Sequence, residues 1–228
     1  MQSREKNMEG LKIPDLYDLS HTAAGEYLKQ FQYPWEALAG LKDFILQLGT
    51  QLDEEQYDEI LPQVWVHKTA KVAPTAYLGA PCIVGAKTEI RHCAFVRGSA
   101  LIGENCVVGN SVELKNAILF DNVQVPHFNY VGDSILGFRS HMGAGSVTSN
   151  VKSDKTLVCV RCDGEKLETG LKKFGAMLGD FVEVGCNSVL NPGTVIGRNT
   201  NIYPLSSVRG FISADSIYKS ADKVVRKR

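Results

Sequence analysis

"VWVHKTAKVAPTAYLGAPCIVGAKTEIRHCAFVRGSALIGENCVVG", residues 64–109, repeats a pattern every six residues. An aliphatic residue recurs at Val66, Val72, Leu78, Val84, Ile90, Val96, Ile102 and Val108, and the register runs on through Leu114 to Phe120. Two places before each stands a mostly small residue: Val64, Ala70, Ala76, Cys82, Thr88, Ala94, Ala100, Cys106, then Val112 and Ile118. Neither the 3.6-residue period of a helix nor the alternation of an ordinary strand produces this. A hexad repeat implies a β-helix, in which short strands and turns stack as coils. The large residue is expected to fill the interior and the small one the crowded corner, so Cys82 and Cys106 read as fillers. Gly79, Gly85, Gly103 and Gly109 follow large residues and are expected to supply turn geometry that a Cβ disfavours.

The pattern returns with Leu178, Val184, Leu190, Ile196, Ile202 and Val208, over Ala176, Val182, Ser188, Thr194, Thr200 and Ser206. Two interruptions separate the runs. The register slips across residues 124–135, resumes with Leu136 and Met142, and breaks again over roughly 149–175. The second break contains "RCDGEK", where Asp163-Gly164 marks a tight hairpin, and reads as a long projecting loop. The hexads resemble those of the left-handed β-helix, whose triangular coil takes three hexads. The expected fold is therefore mainly β: a helical N-terminal segment (1–63), a left-handed parallel β-helix (64–212) and a basic C-terminal tail (213–228) predicted to be helical.

Residues 1–63 have another texture. "DLSHTAAGEYLKQF" and "YPWEALAGLKDFILQLG" read as two short helices, with Ser20 capping the first, Pro34 opening the second and Gly49 ending it. Trp35, Leu38, Leu41, Ile45 and Leu48 form one apolar stripe, expected to pack on the coils or on a neighbouring subunit.

Lysine plus arginine number 25 and aspartate plus glutamate also 25, giving a formal charge of zero. This argues against a nucleic-acid binder. No apolar run reaches the ~20 residues of a membrane span, and "MQSREKNMEG" lacks a secretion signal's apolar core; a cytoplasmic location is expected. "CVRC" (159–162) has the spacing of half a zinc site but lacks a second half, so no metal is expected.

Arg97 and Lys115 are eighteen residues apart, one coil, and each follows an interior residue. Stacked strands lie ~4.8 Å apart, so two outward cations there favour an anion between them, a phosphate above all; otherwise the side chains splay into water. His127, where the repeat breaks, is a candidate general base.

Here the sequence acquires a resemblance. Gly109-Asn110-Ser111-Val112-Glu113-Leu114-Lys115, His127-Phe128-Asn129-Tyr130-Val131-Gly132-Asp133, Gly143-Ala144-Gly145-Ser146 and Asn150 resemble the acetyltransferase half of the bifunctional enzymes that make UDP-N-acetylglucosamine from glucosamine 1-phosphate. "KKFGAMLGDFVEVGCNSVLNPGTVIG" is most similar to archaeal sugar-1-phosphate nucleotidylyltransferase/acetyltransferases. The resemblance implies acetyl-CoA as cosubstrate, an amino-sugar 1-phosphate as acceptor, and a homotrimer with sites between subunits. It implies that Arg97 and Lys115 hold the phosphate and His127 takes a proton from the amine. Tyr130 and Glu113 would position the sugar, and Asn150 would orient the amine or acetyl group. Backbone N–H groups around Ala144 would face the thioester, with Cys186 and Pro204 at weaker coenzyme-lining matches. His141 stands where the bacterial enzymes have a sugar-contacting asparagine, Val151 where they have a tyrosine, and Lys155 is the nearest match to a functional loop lysine. The 63 residues ahead of the hexads are too few for the nucleotidyl-transfer half, so a separate nucleotidylyltransferase is an expected partner. The alternatives are the same chemistry on another aminosugar, and a non-catalytic sugar-phosphate-binding regulator of such an enzyme.

Overall fold

A computed structural model describes residues 9–227. The chain winds into a left-handed β-solenoid of about nine turns. Its cross-section has three faces, each a parallel stack of short strands. The first face runs from Lys71–Val72 through Glu89–Ile90, Val107–Asn110, Gln124–His127, His141–Met142, Glu183–Val184 and Asn201–Ile202 to Ser216–Ser220. The second and third faces share the long strands Glu113–Leu119 and Tyr130–Leu136, which bend from one face to the next at Asn116 and Asp133.

The hexad residues occupy the interior as expected: Val84, Val96, Ile102, Val108, Leu114 and Leu190 are all at most 1 % exposed. Their small partners stack beneath them, with Val64 opposite Cys82 and Cys82 opposite Ala100. Cys82 and Cys106 are buried fillers whose thiols burial pushes up to about 12.

The glycines do a different job from the one expected. Most corners of the regular coils take their left-handed turn at a non-glycine residue three places after the large one, such as Lys87, Cys93, Ser99 and Asn105. The glycines are needed because successive coils touch there: a Cβ at Gly85 would lie 2.6 Å from the Gly103 carbonyl carbon, and one at Gly109 would lie 1.5 Å from the Pro126 oxygen.

The register slip also begins earlier than the hexads suggest. Phe95 and Val96 pair with Glu113 and Leu114, eighteen residues on, but Ala100 and Ile102 pair with Ala117 and Leu119, seventeen on. One residue is lost at the Asn116 corner, and Leu119, not Phe120, takes the interior place. Phe120 is apolar for another reason, since its ring packs on Tyr17 of the N-terminal segment, with centroids 5.1 Å apart. The next coil loses a residue at the same corner, so Leu114 and Leu119 lie opposite Val131 and Leu136.

The outward residues of the third face, Ile83, Leu101, Ile118, Ile135, Met177 and Val195, are all buried. Two elements cover them. The N-terminal segment lies over the earlier coils through a 3-10 turn (Pro34–Leu38) and a helix (Leu41–Gly49), burying Trp35, Leu38, Leu41 and Ile45. Its stripe therefore packs on its own chain. Ser20 does not cap a helix; it sits in a 3-10 turn whose cap is Asp18, which accepts from the Ser20 N–H. The segment also holds a strand, Tyr57–Leu61, antiparallel to Val64–His67. The excursion after Asn150 forms the hairpin Cys159–Cys162/Glu165–Glu168, which turns back along the last coils and buries Val158 and Val160. The C-terminal tail is not helical: Ser216–Ser220 joins the first face and Lys223–Arg226 pairs back on it. The alternation in "SIYKS" and "KVVR", with Asp222 between, is strand and turn chemistry that the basic composition masked. No helix among the described residues is long and apolar enough to cross a membrane.

Candidate functional site

With the third face covered, the second face and its two corners carry most of the singled-out residues. His127 ends the strand Gln124–His127 at the corner between first and second faces, exposed to solvent. The corner is built around Asn129, a buried residue that sequence reasoning passed over. Its Oδ1 accepts from the His127 N–H at 3.2 Å, and its Nδ2 donates to the Gly143 carbonyl at 2.8 Å and to the Ser146 carbonyl and hydroxyl at 3.1 Å. A chain of backbone hydrogen bonds then climbs this corner. Gly145 donates to the His127 carbonyl, Asn187 to Ala144 and Leu205 to Cys186. His127, Ala144, Cys186 and Pro204 thus form one column. Cys186 and Pro204 are exposed, and the Ala144 N–H has no acceptor among the described residues. The corner is thus exposed to solvent beside His127 and carries a backbone donor without an acceptor among the described residues.

Arg97 and Lys115 sit at the opposite corner of the face, on successive coils, as their spacing requires. They do not face each other unpaired. Arg97 Nη1 donates to Glu113 Oε1 at 2.8 Å, and Lys115 Nζ to both oxygens of Asp133 at 3.1 and 3.2 Å. The surroundings differ: the Arg97 side chain is 47 % exposed, whereas Asp133 is 5 % exposed. Asp133, part of the quoted motif but given no role from sequence, is the hub of this corner. Its Oδ1 also accepts from Asn116 Nδ2 at 2.9 Å and its Oδ2 from Asn150 Nδ2 at 2.5 Å. Because both coils here have seventeen residues, Asn116, Asp133 and Asn150 stack as a ladder, visible only once the shortened coil is known.

Glu113 and Tyr130 lie between the corners, directly opposite each other on adjacent strands. Tyr130 Oη accepts from Asn150 Nδ2 at 3.0 Å. Burial first, then the Asp133 and Glu113 carboxylates, hold its phenol above the ordinary value, so it stays protonated.

Two candidates lie elsewhere. His141 is on the first face, its Nδ1 2.9 Å from Glu183 Oε2, beside a depression of about 560 Å³ lined also by Asn122, Gln124, Arg139 and Phe181. Lys155 is exposed in a turn of the excursion, its backbone bonded to Lys152. In a single chain neither joins the second-face cluster.

No family model matches the chain. It is 28% identical over 220 residues to the bifunctional protein GlmU of Methanococcus maripaludis strain C5, covering 95% of this chain and 53% of that protein. It is 31% identical over 106 residues to a bifunctional sugar-1-phosphate nucleotidylyltransferase/acetyltransferase of Sulfurisphaera tokodaii, covering 46% of this chain and 26% of that protein. Among solved structures, the acetyltransferase domain of PglB from Neisseria gonorrhoeae, in complex with acetyl coenzyme A, aligns at 15% identity and a TM-score of 0.34. That alignment covers 71% of this chain and 56% of that one, and at this level it adds nothing to the fold read from the coils. The chain spans about half the length of the curated relatives it matches. Over most of its length it is similar to one half of these bifunctional proteins, the acetyltransferase half.

Proposed function

We propose that the protein is an acetyl-CoA-dependent N-acetyltransferase acting on an amino-sugar 1-phosphate of the glucosamine 1-phosphate kind. The observation that carries this reading is the division of the second face: an exposed histidine heads a column of small residues at one corner, and two cations occupy the other. Acetyl-CoA would run along the column of Ala144, Cys186 and Pro204, with its thioester beside His127. The sugar would lie on Glu113 and Tyr130, its phosphate towards Arg97 and Lys115. As the amine attacks the thioester carbon, the His127 imidazole takes the amine proton. The Ala144 N–H would stabilise oxygen charge in the tetrahedral intermediate. Collapse forms the amide and expels the coenzyme A thiolate, which takes the proton from the His127 imidazolium and restores the neutral imidazole.

The opposed corners are separated by the width of a face, and His141 lies on another. A homotrimer, in which a second copy brings its own corner and first face against this one, would gather these groups into one site. The test is release of free thiol from acetyl-CoA with a panel of amino-sugar phosphates and their unphosphorylated forms, together with sedimentation. Turnover confined to a phosphorylated aminosugar, by a trimer, supports the reading. Binding of a sugar phosphate without thiol release would favour the regulator, and a monomer would remove the intersubunit site.

A further inference from the structure

We propose that Asp133 is a positioning residue that decides which atoms of Lys115 and Asn150 are offered to the acceptor; this rests on the acceptor-site reading above. An ionised carboxylate only accepts hydrogen bonds. The groups facing Asp133 must therefore be donors, which fixes the orientation of two side-chain amides otherwise free to flip. Asn150 commits its amide nitrogen to Asp133 Oδ2 and to the Tyr130 oxygen. Its carbonyl oxygen is left to receive a donor, a hydroxyl or amine of the acceptor. Tyr130, whose oxygen accepts from Asn150, keeps its own proton to give.

Lys115 is held by the same carboxylate. An ammonium has three donors; those turned to Asp133 anchor it, and what remains can point to an anion. Asn116 completes the arrangement, its Nδ2 bridging Asp133 Oδ1 and, at 3.4 Å, the Leu38 carbonyl of the N-terminal segment. The carboxylate is 5 % exposed, and both of its oxygens are in use. An amide in its place has one acceptor oxygen where the carboxylate has two. It cannot serve Asn116 and Asn150, on opposite sides of it, together.

Asp133→Asn is the informative substitution. The backbone at 133 is left-handed, with φ 49°, a conformation that asparagine adopts as readily as aspartate. If Asp133 only shapes the turn, the variant behaves as wild type. If it positions Lys115 and Asn150, the KM for the sugar phosphate rises roughly ten- to a hundredfold, the cost of about one charge-assisted hydrogen bond. The turnover number then changes little and the KM for acetyl-CoA stays constant, because the His127 corner is untouched. Asp133→Glu, which keeps the charge, should recover part of the loss. A second measurement uses the ligand-free protein labelled with ¹⁵N-asparagine, the Asn150 signal being identified by its disappearance in Asn150→Ala. Its side-chain amide hydrogens should exchange slowly in wild type, and Asp133→Asn should expose either this amide or that of Asn116. Fast exchange of the Asn150 amide in wild type, or an unchanged KM in Asp133→Asn, overturns the proposal. Should wild type acetylate no amino-sugar phosphate while the amide is protected, the proposed function falls and the positioning by Asp133 stands.

Discussion

The coils before Leu114 and the two that follow differ by one residue each, and nearly all the candidate chemistry lies in or beside the shorter ones. In the early coils the corner between second and third faces takes Arg97, Gly98 and Ser99 between interior strands; in the shorter coils Lys115 and Asn116, or Gly132 and Asp133, do the same work. The lost residue removes slack and brings polar side chains into line. Asn116, Asp133 and Asn150 can then bond directly from coil to coil. The regular coils are a packing problem solved by repetition. The short coils use the same interior to hold a carboxylate, an ammonium and two amides in register.

Substitutions should separate the two regions. The largest effect on rate is expected at His127: His127→Ala should lower the turnover number by about 10²–10⁴-fold, the range for loss of a general base, with both Michaelis constants nearly constant in steady-state assays. In a regular coil the effect should fall on stability instead. Ile90 is 1 % exposed, and Ile90→Ala should cost roughly 2–5 kcal/mol, measured by denaturant unfolding, with the turnover of the folded protein unchanged. A large fall in turnover for Ile90→Ala would blur the distinction between scaffold and site.

The two cations should also part company. Lys115→Ala is expected to raise the KM for the sugar phosphate about ten- to a hundredfold and to lower the melting temperature, because it strips a partner from the buried Asp133. Arg97→Ala, at an exposed pair with Glu113, should raise that KM roughly tenfold at most without a melting shift. Equal behaviour of the two variants in kinetics and calorimetry would mean that Asp133 makes no difference to its cation.

The smallest effect concerns pH. Burial holds the Tyr130 phenol above its ordinary value of 10.0, so it should not titrate in the assay range. Its stabilising contribution is fully present below the unfolded value and is lost only as pH rises through the higher folded one. Profiles of kcat/KM for wild type and Tyr130→Phe should run parallel between about pH 7.5 and 9.5. An alkaline limb present only in wild type would show a phenol that ionises within range.

The hexads made the solenoid legible because each interior place repeats one requirement, and Val66 through Leu114 meet it in sequence. They misplaced the slip because Leu119 and Phe120 are both apolar: one faces the interior, the other packs on Tyr17, and hydrophobicity alone does not say which. Arg97 and Lys115 could be paired from spacing because that step is a full coil. Asp133 could not be tied to Asn116 and Asn150, since a ladder of seventeen is invisible to arithmetic in eighteens. Asn129 was hidden for another reason: its partners are the Gly143 and Ser146 backbone and hydroxyl, and main-chain oxygens leave no mark in a sequence.

The strands at the two ends of the solenoid bear on how the molecule avoids becoming a fibre. A stack of parallel strands has no natural last member; its final coil offers the same unsatisfied N–H and C=O groups to any further strand, including one from another molecule. Here the third face begins under Tyr57–Leu61 and the first face ends against Lys223–Arg226, and both strands run antiparallel to the stack. An antiparallel strand satisfies the edge it covers while reversing the direction of the chain, so that face cannot be continued in register by a copy of itself. The stretches of chain flanking the repeats thus terminate the two faces they cover, and removing either is expected to bare the edge beneath it.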